Sequence, residues 1–213
     1  MNQVDTTLYL ITNSDGRSEA DFLETVAQAC SGGVTLVQLR EKERSGREYY
    51  ELAVKVKTVT DRYGVPLIID DRVDIALAAD AAGVHLGQAD LPVAAARAVM
   101  GPGKIIGATA KTVEQALAAG ADNADYLGVG AIYPTTTKVI TVITPVATLK
   151  DIAKSVTIPI IAIGGLNAGN LEALYDSGAS GIAVVTAIMN SPNPKSAAAE
   201  LRQLAEMHIR RSG

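Results

Sequence analysis

Short apolar runs alternate with longer amphipathic segments along the chain, and this alternation predicts both the elements and their order. The apolar runs are rich in Val, Ile and Leu, which is typical of parallel strands that are covered on both faces. The segments between them repeat apolar residues at helical spacing, as Leu52, Val56 and Val59 do, which predicts helices with one buried face. The pattern therefore predicts strands and helices in strict alternation.

Eight such strand–helix pairs can be placed. The predicted strands lie at residues 7–11, 34–42, 66–69, 83–86, 104–107, 126–130, 159–163 and 181–185. The predicted helices lie at residues 19–30, 46–63, 74–80, 92–100, 112–119, 148–154, 168–177 and 195–207. Eight pairs fit an α/β fold of the closed (β/α)8 TIM barrel type, a single domain over residues 1–213 in which residues 209–213 are expected to fray. An open doubly wound sheet is the alternative, although no Gly-x-Gly-x-x-Gly motif follows the first strand.

Composition and charge narrow the classes of partner. The net charge is −4 and no basic stripe occurs along the chain, which argues against nucleic acid. The charge-free span at residues 155–171 is interrupted by Pro and Gly, so we expect no membrane helix there. The one cysteine, Cys30, cannot form an intramolecular disulfide and is expected to be buried in a helix. Without a signal-peptide pattern, these features predict a cytoplasmic location.

Polar residues collect where the predicted strands end. The second strand ends in Gln38, Arg40 and Lys42, which alternate and therefore share one face, while Glu41 points away and is expected to pair with a nearby cation. In a barrel, the loops that follow the strands build the active face. We therefore expect these side chains at the mouth of a site, with a solvated charge cluster as the alternative.

Acidic residues follow the next two strands. Asp70 and Asp71 come after the third strand and Asp90 comes after the fourth. Mg2+ is usually held by a few carboxylates completed by water and phosphate oxygens, so two of these residues could share one ion. Helix capping by Asp71 or Asp90 is the alternative. The cations of the second strand, with Lys138 after the sixth, could bind a diphosphate that the metal also contacts.

A second pattern lies late in the chain. Gly164-Gly165 follows the seventh strand, ahead of the helix predicted near Asn167, and Val185-Thr186 follows the eighth strand. Backbone N–H groups in such loops commonly hold a monophosphate in barrels. The alternative is a pair of glycines that serves packing.

Other polar residues carry less weight. Thr135, Thr136 and Thr137 offer hydroxyl groups to either ligand, although threonine is also common in strands. His85 lies within the fourth strand and is expected to be a hydrogen-bonded core or rim histidine rather than a base. No triad order and no Cys/His pair or Cys-x-x-Cys spacing occurs in the sequence, so hydrolytic triads and zinc sites are unsupported.

Together these motifs resemble the thiamine-phosphate synthase family over nearly the whole chain. They are Gln38-Leu39-Arg40-Glu41-Lys42, Asp71-Arg72-Val73-Asp74, Gly83-Val84-His85-Leu86-Gly87-Gln88-Ala89-Asp90, Gly107-Ala108-Thr109-Ala110, residues 128–138 and Gly164-Gly165. The resemblance implies a (β/α)8 transferase of thiamine biosynthesis that depends on Mg2+. Its substrates would be 4-amino-5-hydroxymethyl-2-methylpyrimidine diphosphate and 4-methyl-5-(2-phosphoethyl)thiazole, joined by a dissociative substitution to give thiamine phosphate and diphosphate.

The resemblance also implies residue roles. The pyrimidine diphosphate would be bound by Gln38, Leu39, Arg40, Glu41, Lys42, Asp70, Thr109 and Lys138. The thiazole phosphate would be bound by Thr135, Thr136, Thr137, Gly165, Val185 and Thr186. Asp71 and Asp90 would ligate Mg2+, and the residues that act in catalysis would be Arg40, Lys42, Thr109 and Lys138. The partners would be small molecules, and a homo-oligomer is left open.

The sequence departs from the family's usual pattern at several positions. Asp70 stands where Asn is common, and Thr109 and Thr186 replace serines. The run at residues 139–144 is more apolar than the mobile loop of the family. Two other functions stay open at this point: a thiazole tautomerase on the same barrel, which needs no diphosphate-binding cations, and a barrel that binds thiamine precursors without turnover.

Overall fold

Eight parallel strands pair in sequence order, and the eighth pairs with the first, in a computed structural model that describes residues 4–135 and 142–209. Closure is made by pairs such as Leu8 with Ile182 and Leu10 with Val184. This closed barrel confirms the predicted (β/α)8 TIM fold and excludes the open sheet. Within the described ranges, no helix is long and apolar enough to cross a membrane.

The elements follow the predicted alternation as far as β7, and two helices follow β8. The strands are β1 Leu8–Ile11, β2 Leu36–Leu39, β3 Leu67–Asp70, β4 Gly83–Leu86, β5 Ile105–Ala110, β6 Tyr126–Gly130, β7 Ile160–Ile163 and β8 Gly181–Val184. The helices are α1 Glu19–Ser31, α2 Gly46–Asp61, α3 Val73–Ala78, α4 Val93–Met100, α5 Val113–Ala121, α6 Val146–Ser155, α7 Thr186–Met189 and α8 Pro194–Ile209. Ile209 is buried at the end of α8, and residues 210–213 lie outside the described residues.

The seventh helix was predicted wrongly. Residues 168–177 contain a 3₁₀ turn, Leu171–Leu174, in place of an α-helix. Asparagine side chains explain the difference, because Asn167 Oδ1 accepts from the Gly169 N–H at 2.9 Å and Asn170 Oδ1 accepts from the Asn167 N–H at 2.9 Å. Such local side-chain bonds offer the backbone an alternative to the helical ladder. The short helix α7 after β8 was not predicted.

Two other boundaries affect the site. The strand β2 is shorter than the predicted 34–42, so Arg40 and Lys42 lie beyond its end. The strand β5 is longer than predicted, and Thr109 lies inside it, where it pairs in register with Gly128 of β6. Pairing with β6 extends β5 to Ala110, past the point where its apolar run stops.

The core has two layers. The interior of the barrel is filled by side chains from alternate positions of the strands, namely Tyr9, Ile11, Leu36, Ile68, Ile105, Tyr126, Ile161 and Ala183. The other faces of the strands pack against the helices. Cys30 is buried in the outer layer, as predicted, and burial raises the pKa of its thiol to about 12. The thiol is therefore neutral at physiological pH.

We predict that Gly107→Ala destabilises the barrel. A Cβ at this position in β5 would overlap the ring of Tyr126, which is fully buried inside the barrel. Forcing atoms into a packed core typically costs ~1–3 kcal/mol, and urea denaturation should show a loss of unfolding free energy of that size. Gly103→Ala is the matched control, because no heavy atom lies within 4 Å of the added Cβ. Equal stability of the two variants would contradict this packing.

Candidate active site

A cavity of about 250 Å³ opens at the carboxyl ends of the strands. This is the face on which barrel enzymes carry their active sites. The sequence-predicted residues that line it are Gln38, Arg40, Lys42, Asp70, Asp71, Asp90, Thr109, Thr135, Gly165, Val185 and Thr186. Thr136, Thr137 and Lys138 lie outside the described residues. Side chains that are distant in sequence therefore meet around one cavity.

Two cations and two carboxylates meet on the wall formed by β2 and β3. The Lys42 Nζ lies 2.9 Å from the Asp70 Oδ2 and also contacts the Asp71 Oδ2. The Arg40 Nε lies 3.6 Å from the same oxygen of Asp70. The Asp70 side chain is only 9% exposed, whereas that of Lys42 is 42% exposed. The cations are thus partly neutralised by Asp70, and an anion that enters the cavity competes with this carboxylate for them.

Asp71 and Asp90 offer oxygen atoms to the cavity from neighbouring loops. Neither carboxylate caps a helix, since the N-caps of α3 and α4 are Arg72 and Pro92 and neither makes a side-chain capping bond. The Asp90 Oδ2 instead accepts from the Gly87 N–H at 2.6 Å. Within the described ranges, no group of three or more His, Cys, Asp or Glu side chains could hold a metal. Two carboxylates fit Mg2+, which commonly takes its other ligands from water and phosphate.

Leu39 and Glu41 point away from the cavity. Leu39 is fully buried in the outer core layer. The Glu41 Oε2 accepts from the Arg44 Nε at 2.8 Å and from the Ser14 Oγ at 2.8 Å. The expectation that Glu41 faces away and pairs with a cation is confirmed. This carboxylate ties the loop after β1 to the loop after β2, and so it holds the backbone between Arg40 and Lys42.

The opposite wall contains the two glycines after β7. Both have positive φ, +101° at Gly164 and +65° at Gly165, which favours glycine. A Cβ at Gly165 would lie 2.6 Å from the Pro134 oxygen, so the loop after β6 occupies the space that a side chain would need. The Gly165 carbonyl accepts from the Asn170 Nδ2 at 2.9 Å. The glycines therefore serve loop packing and also leave bare backbone on the cavity wall, where Thr186 begins α7.

The floor of the cavity is a chain of hydrogen-bonded polar groups inside the barrel. The Gln38 Nε2 donates to the Tyr9 hydroxyl at 2.8 Å, and this hydroxyl lies 2.9 Å from that of Tyr126. The Tyr126 hydroxyl lies 3.1 Å from the His85 Nδ1, and the His85 Nε2 lies 3.0 Å from the Thr109 Oγ1. His85 is thus a hydrogen-bonded rim histidine, as predicted. Burial raises the pKa of both tyrosines, so their hydroxyl groups stay protonated.

Sequence reasoning missed three residues that belong to this site. Tyr9 lines the cavity, and Tyr126 supports its floor. Both lie inside apolar strands, so their sequence context predicts core residues. Lys111 adds a third cation to the lining. It could have been found, because it lies two positions beyond Thr109, and the alternation of β5 continued one residue past the end of the strand places it on the same face.

Comparison with known proteins relates the chain to one group of relatives. A sequence model of the family described as thiamine monophosphate synthase matches residues 8–188. The thiamine-phosphate synthase of Lacticaseibacillus paracasei is 55% identical over 193 residues, which are 91% of this chain and 91% of that protein. That of Methanobrevibacter smithii is 49% identical over 201 residues, 94% of this chain and 96% of that protein. The solved structure of thiamine phosphate pyrophosphorylase from Pyrococcus furiosus matches with a TM-score of 0.86 and 38% identity, covering 96% of this chain and 98% of that one.

We predict that Asp70→Asn strengthens the binding of inorganic diphosphate about tenfold, equivalent to ~1.4 kcal/mol. The substitution removes the carboxylate that competes for Lys42 and Arg40. Isothermal titration calorimetry measures the affinity. Asp61→Asn is the control, because this exposed carboxylate pairs with Lys57 on α2, away from the cavity. Weaker or unchanged binding by Asp70→Asn would show that Asp70 does not oppose the anion.

Proposed function

Because the chain belongs to the thiamine monophosphate synthase family, we propose that it joins 4-amino-5-hydroxymethyl-2-methylpyrimidine diphosphate to 4-methyl-5-(2-phosphoethyl)thiazole. The products are thiamine phosphate and diphosphate. The chain is a transferase, as its relatives named thiamine-phosphate synthase are. The observation that carries the proposal is one cavity with two walls suited to anions: cations and carboxylates after β2 to β4, and bare backbone after β7 and β8. A reaction between two phosphorylated molecules needs both walls.

We assign the diphosphate to the first wall. Arg40 and Lys42 exchange the Asp70 carboxylate for the oxygens of the diphosphate, and Lys138 joins them on the basis of the family motif. Lys111, one residue past the end of β5, lines the same cavity and adds charge there. Charge-assisted hydrogen bonds of this kind are among the strongest that side chains make. Leu39 and Glu41, which point away from the cavity, support this wall rather than contact the diphosphate through their side chains.

We assign Mg2+ to Asp71 and Asp90. These two carboxylates would hold the ion, which would supply positive charge to the departing diphosphate. Arg40 and Lys42 supply positive charge at the same wall, where the leaving group develops negative charge. In the absence of ligand, the Asp71 carboxylate is paired with Lys42. Binding of the diphosphate draws Lys42 away and makes Asp71 available.

We assign the thiazole phosphate to the second wall. Gly165 and the turn at Val185 and Thr186 bring backbone close to the cavity. Thr135 lines the cavity beside them, and Thr136 and Thr137 join it on the basis of the family motif. Phosphate held there places the thiazole ring between the two walls, with its nitrogen facing the methylene carbon of the pyrimidine.

The proposed substitution is dissociative. The bond between the methylene carbon and the diphosphate oxygen breaks first, and the electron pair leaves with the diphosphate. The aminopyrimidine ring delocalises the resulting cation until the thiazole nitrogen donates its lone pair to form the new C–N bond. No proton is lost, so the site needs no strong base. Electrostatic stabilisation of the leaving group and positioning of the two rings supply the rate enhancement.

The direct test mixes purified protein with both precursors and Mg2+ and follows thiamine phosphate and diphosphate by chromatography. We expect both products in equal amounts, and their loss when EDTA removes the metal. Isomerisation of the thiazole without diphosphate release would identify a tautomerase instead. The cations that line the cavity favour the synthase, because a tautomerase has no diphosphate to bind.

We predict that Arg40→Ala lowers kcat/KM by about 10²–10³, the loss that typically follows removal of one charge-stabilising donor. The unfolding free energy should change much less, since the Arg40 Nε lies 3.6 Å from the Asp70 carboxylate and Asp70 keeps its closer contact with the Lys42 Nζ at 2.9 Å. Arg62→Ala, at the exposed C-terminal end of α2, removes the same charge away from the cavity and should retain activity. An Arg40→Ala variant that stays folded and keeps its kcat/KM would refute the assignment.

A further inference from the structure

The loop at residues 12–18, which joins β1 to α1, is held in shape by its own hydrogen bonds. The Asn13 Oδ1 accepts from the Asp15 N–H at 3.0 Å, and the Ser14 carbonyl accepts from the Arg17 N–H at 3.2 Å. The helix α1 begins directly after the loop with a side-chain cap. Such bonds keep a short loop in one conformation, so the backbone of Arg17 has a fixed position.

One side of this loop is tied to the loop after β2, which carries the cations of the first wall. The Thr12 Oγ1 accepts from the Arg40 N–H at 3.3 Å, and the Thr12 N–H donates to the Gln38 carbonyl at 2.9 Å. The Ser14 Oγ donates to the Glu41 carboxylate at 2.8 Å. The loop after β1 is therefore anchored to the wall that we assign to the diphosphate.

The other side of the loop reaches the end of α7 through one side chain. The Arg17 Nη2 donates to the Met189 carbonyl and, at 3.0 Å, to the Asn190 Oδ1. Hydrogen bonds from a guanidinium are charge-assisted and stronger than those between neutral groups. Arg17 lies outside the lining of the cavity, so its influence on a ligand must pass through α7.

The helical turn that Arg17 holds is the one that lines the second wall. The helix α7 is four residues long, so its two ends belong to a single turn. The Met189 N–H donates to the Val185 carbonyl at 2.9 Å, and the Asn190 N–H donates to the Thr186 carbonyl at 3.0 Å. Val185 and Thr186 line the cavity. A single turn has little stability of its own, so its position depends on its contacts with the rest of the chain.

We propose that Arg17 is a positioning residue for the thiazole phosphate, because it holds α7 against the loop after β1 and so keeps Val185 and Thr186 at a fixed distance from the first wall. The identity of this ligand rests on the proposed function, whereas the hold on α7 rests on the hydrogen bonds of Arg17. Without this side chain α7 moves, and the second wall loses affinity. The first wall keeps its affinity, because Thr12 and Ser14 anchor it separately.

The kinetic test compares the two substrates in the variant Arg17→Ala. We expect KM for the thiazole phosphate to rise about tenfold and KM for the pyrimidine diphosphate to stay within about twofold, since one charged hydrogen-bond donor is lost at one wall only. Arg17→Lys keeps the charge and a donor, so its rise should be only about threefold. Equal changes in the two KM values, or no change in either, would overturn the proposal.

Arg202→Ala is the matched control. Like Arg17, this arginine is half-buried and donates to both a backbone carbonyl and a side chain, those of Gly33 and Glu206, each at 3.2 Å. Gly33 precedes β2, at the opposite end of the barrel from the cavity. Arg202→Ala should therefore leave both KM values unchanged. A selective rise in KM for the thiazole phosphate in this variant too would overturn the special role of Arg17.

Hydrogen–deuterium exchange tests the hold on α7 without any substrate. The amides of Met189 and Asn190 are bonded within α7, so they exchange when the turn opens. We expect a peptide containing them to exchange about tenfold faster in Arg17→Ala than in the unaltered protein or in Arg202→Ala. Unchanged exchange would overturn the proposal. Asn190→Ala removes one of the two acceptors and should produce a smaller increase, which decides the matter if Arg17→Ala does not fold.

These outcomes separate the inference from the proposed function. If the unaltered protein makes thiamine phosphate but α7 exchanges equally in Arg17→Ala, the role of Arg17 is wrong and the synthase assignment stands. If α7 exchanges faster in Arg17→Ala but the unaltered protein makes no product, the synthase assignment is wrong and the hold of Arg17 on α7 stands.

Discussion

Closure of the barrel between β1 and β8 is the constraint on which the rest of the structure depends. Parallel pairing with β8 leaves β1 no free edge and brings the carboxyl ends of all the strands to one rim. The backbones come so close at this seam that a Cβ at Gly181 would overlap the Thr6 backbone. Closure also fixes which residues face inward, because alternate positions of every strand must fill one interior. The site is a result of this geometry, since inward-facing residues just past the apolar core meet at the rim.

The same alternation explains how well the fold and site can be predicted. The runs of Val, Ile and Leu were sufficient to predict all eight strands of the barrel. Gln38, Arg40 and Lys42 were predicted to share one face, and all three line the cavity. The seventh helix could not be predicted from apolar spacing, because the side chains of Asn167 and Asn170 bind the backbone there. The end of β5 was missed for another reason: pairing with β6 continues the strand where hydrophobicity stops.

The hydrogen-bonded polar groups on the cavity floor could not be predicted from single residues. Tyr9 and Tyr126 have the sequence context of core residues, and they are core residues by burial. Their significance comes from partners on other strands, since the Tyr9 hydroxyl meets one residue 29 positions away and another 117 positions away. No local pattern contains such pairs. Hydrogen bonds across a barrel interior become visible only when the register of every strand is known.

Asp70 gives the cavity wall formed by β2 and β3 an unusual property. Dissolved ions screen the attraction between exposed cations and an anionic ligand, so affinity ordinarily falls as salt rises. Here the resting counter-ion of Lys42 and Arg40 is a carboxylate of the chain itself. It cannot diffuse away when an anion enters, and it cannot be supplied by added salt. Entry of a ligand is therefore an exchange between a tethered anion and a free one, and its affinity should respond to ionic strength less than the number of cations suggests.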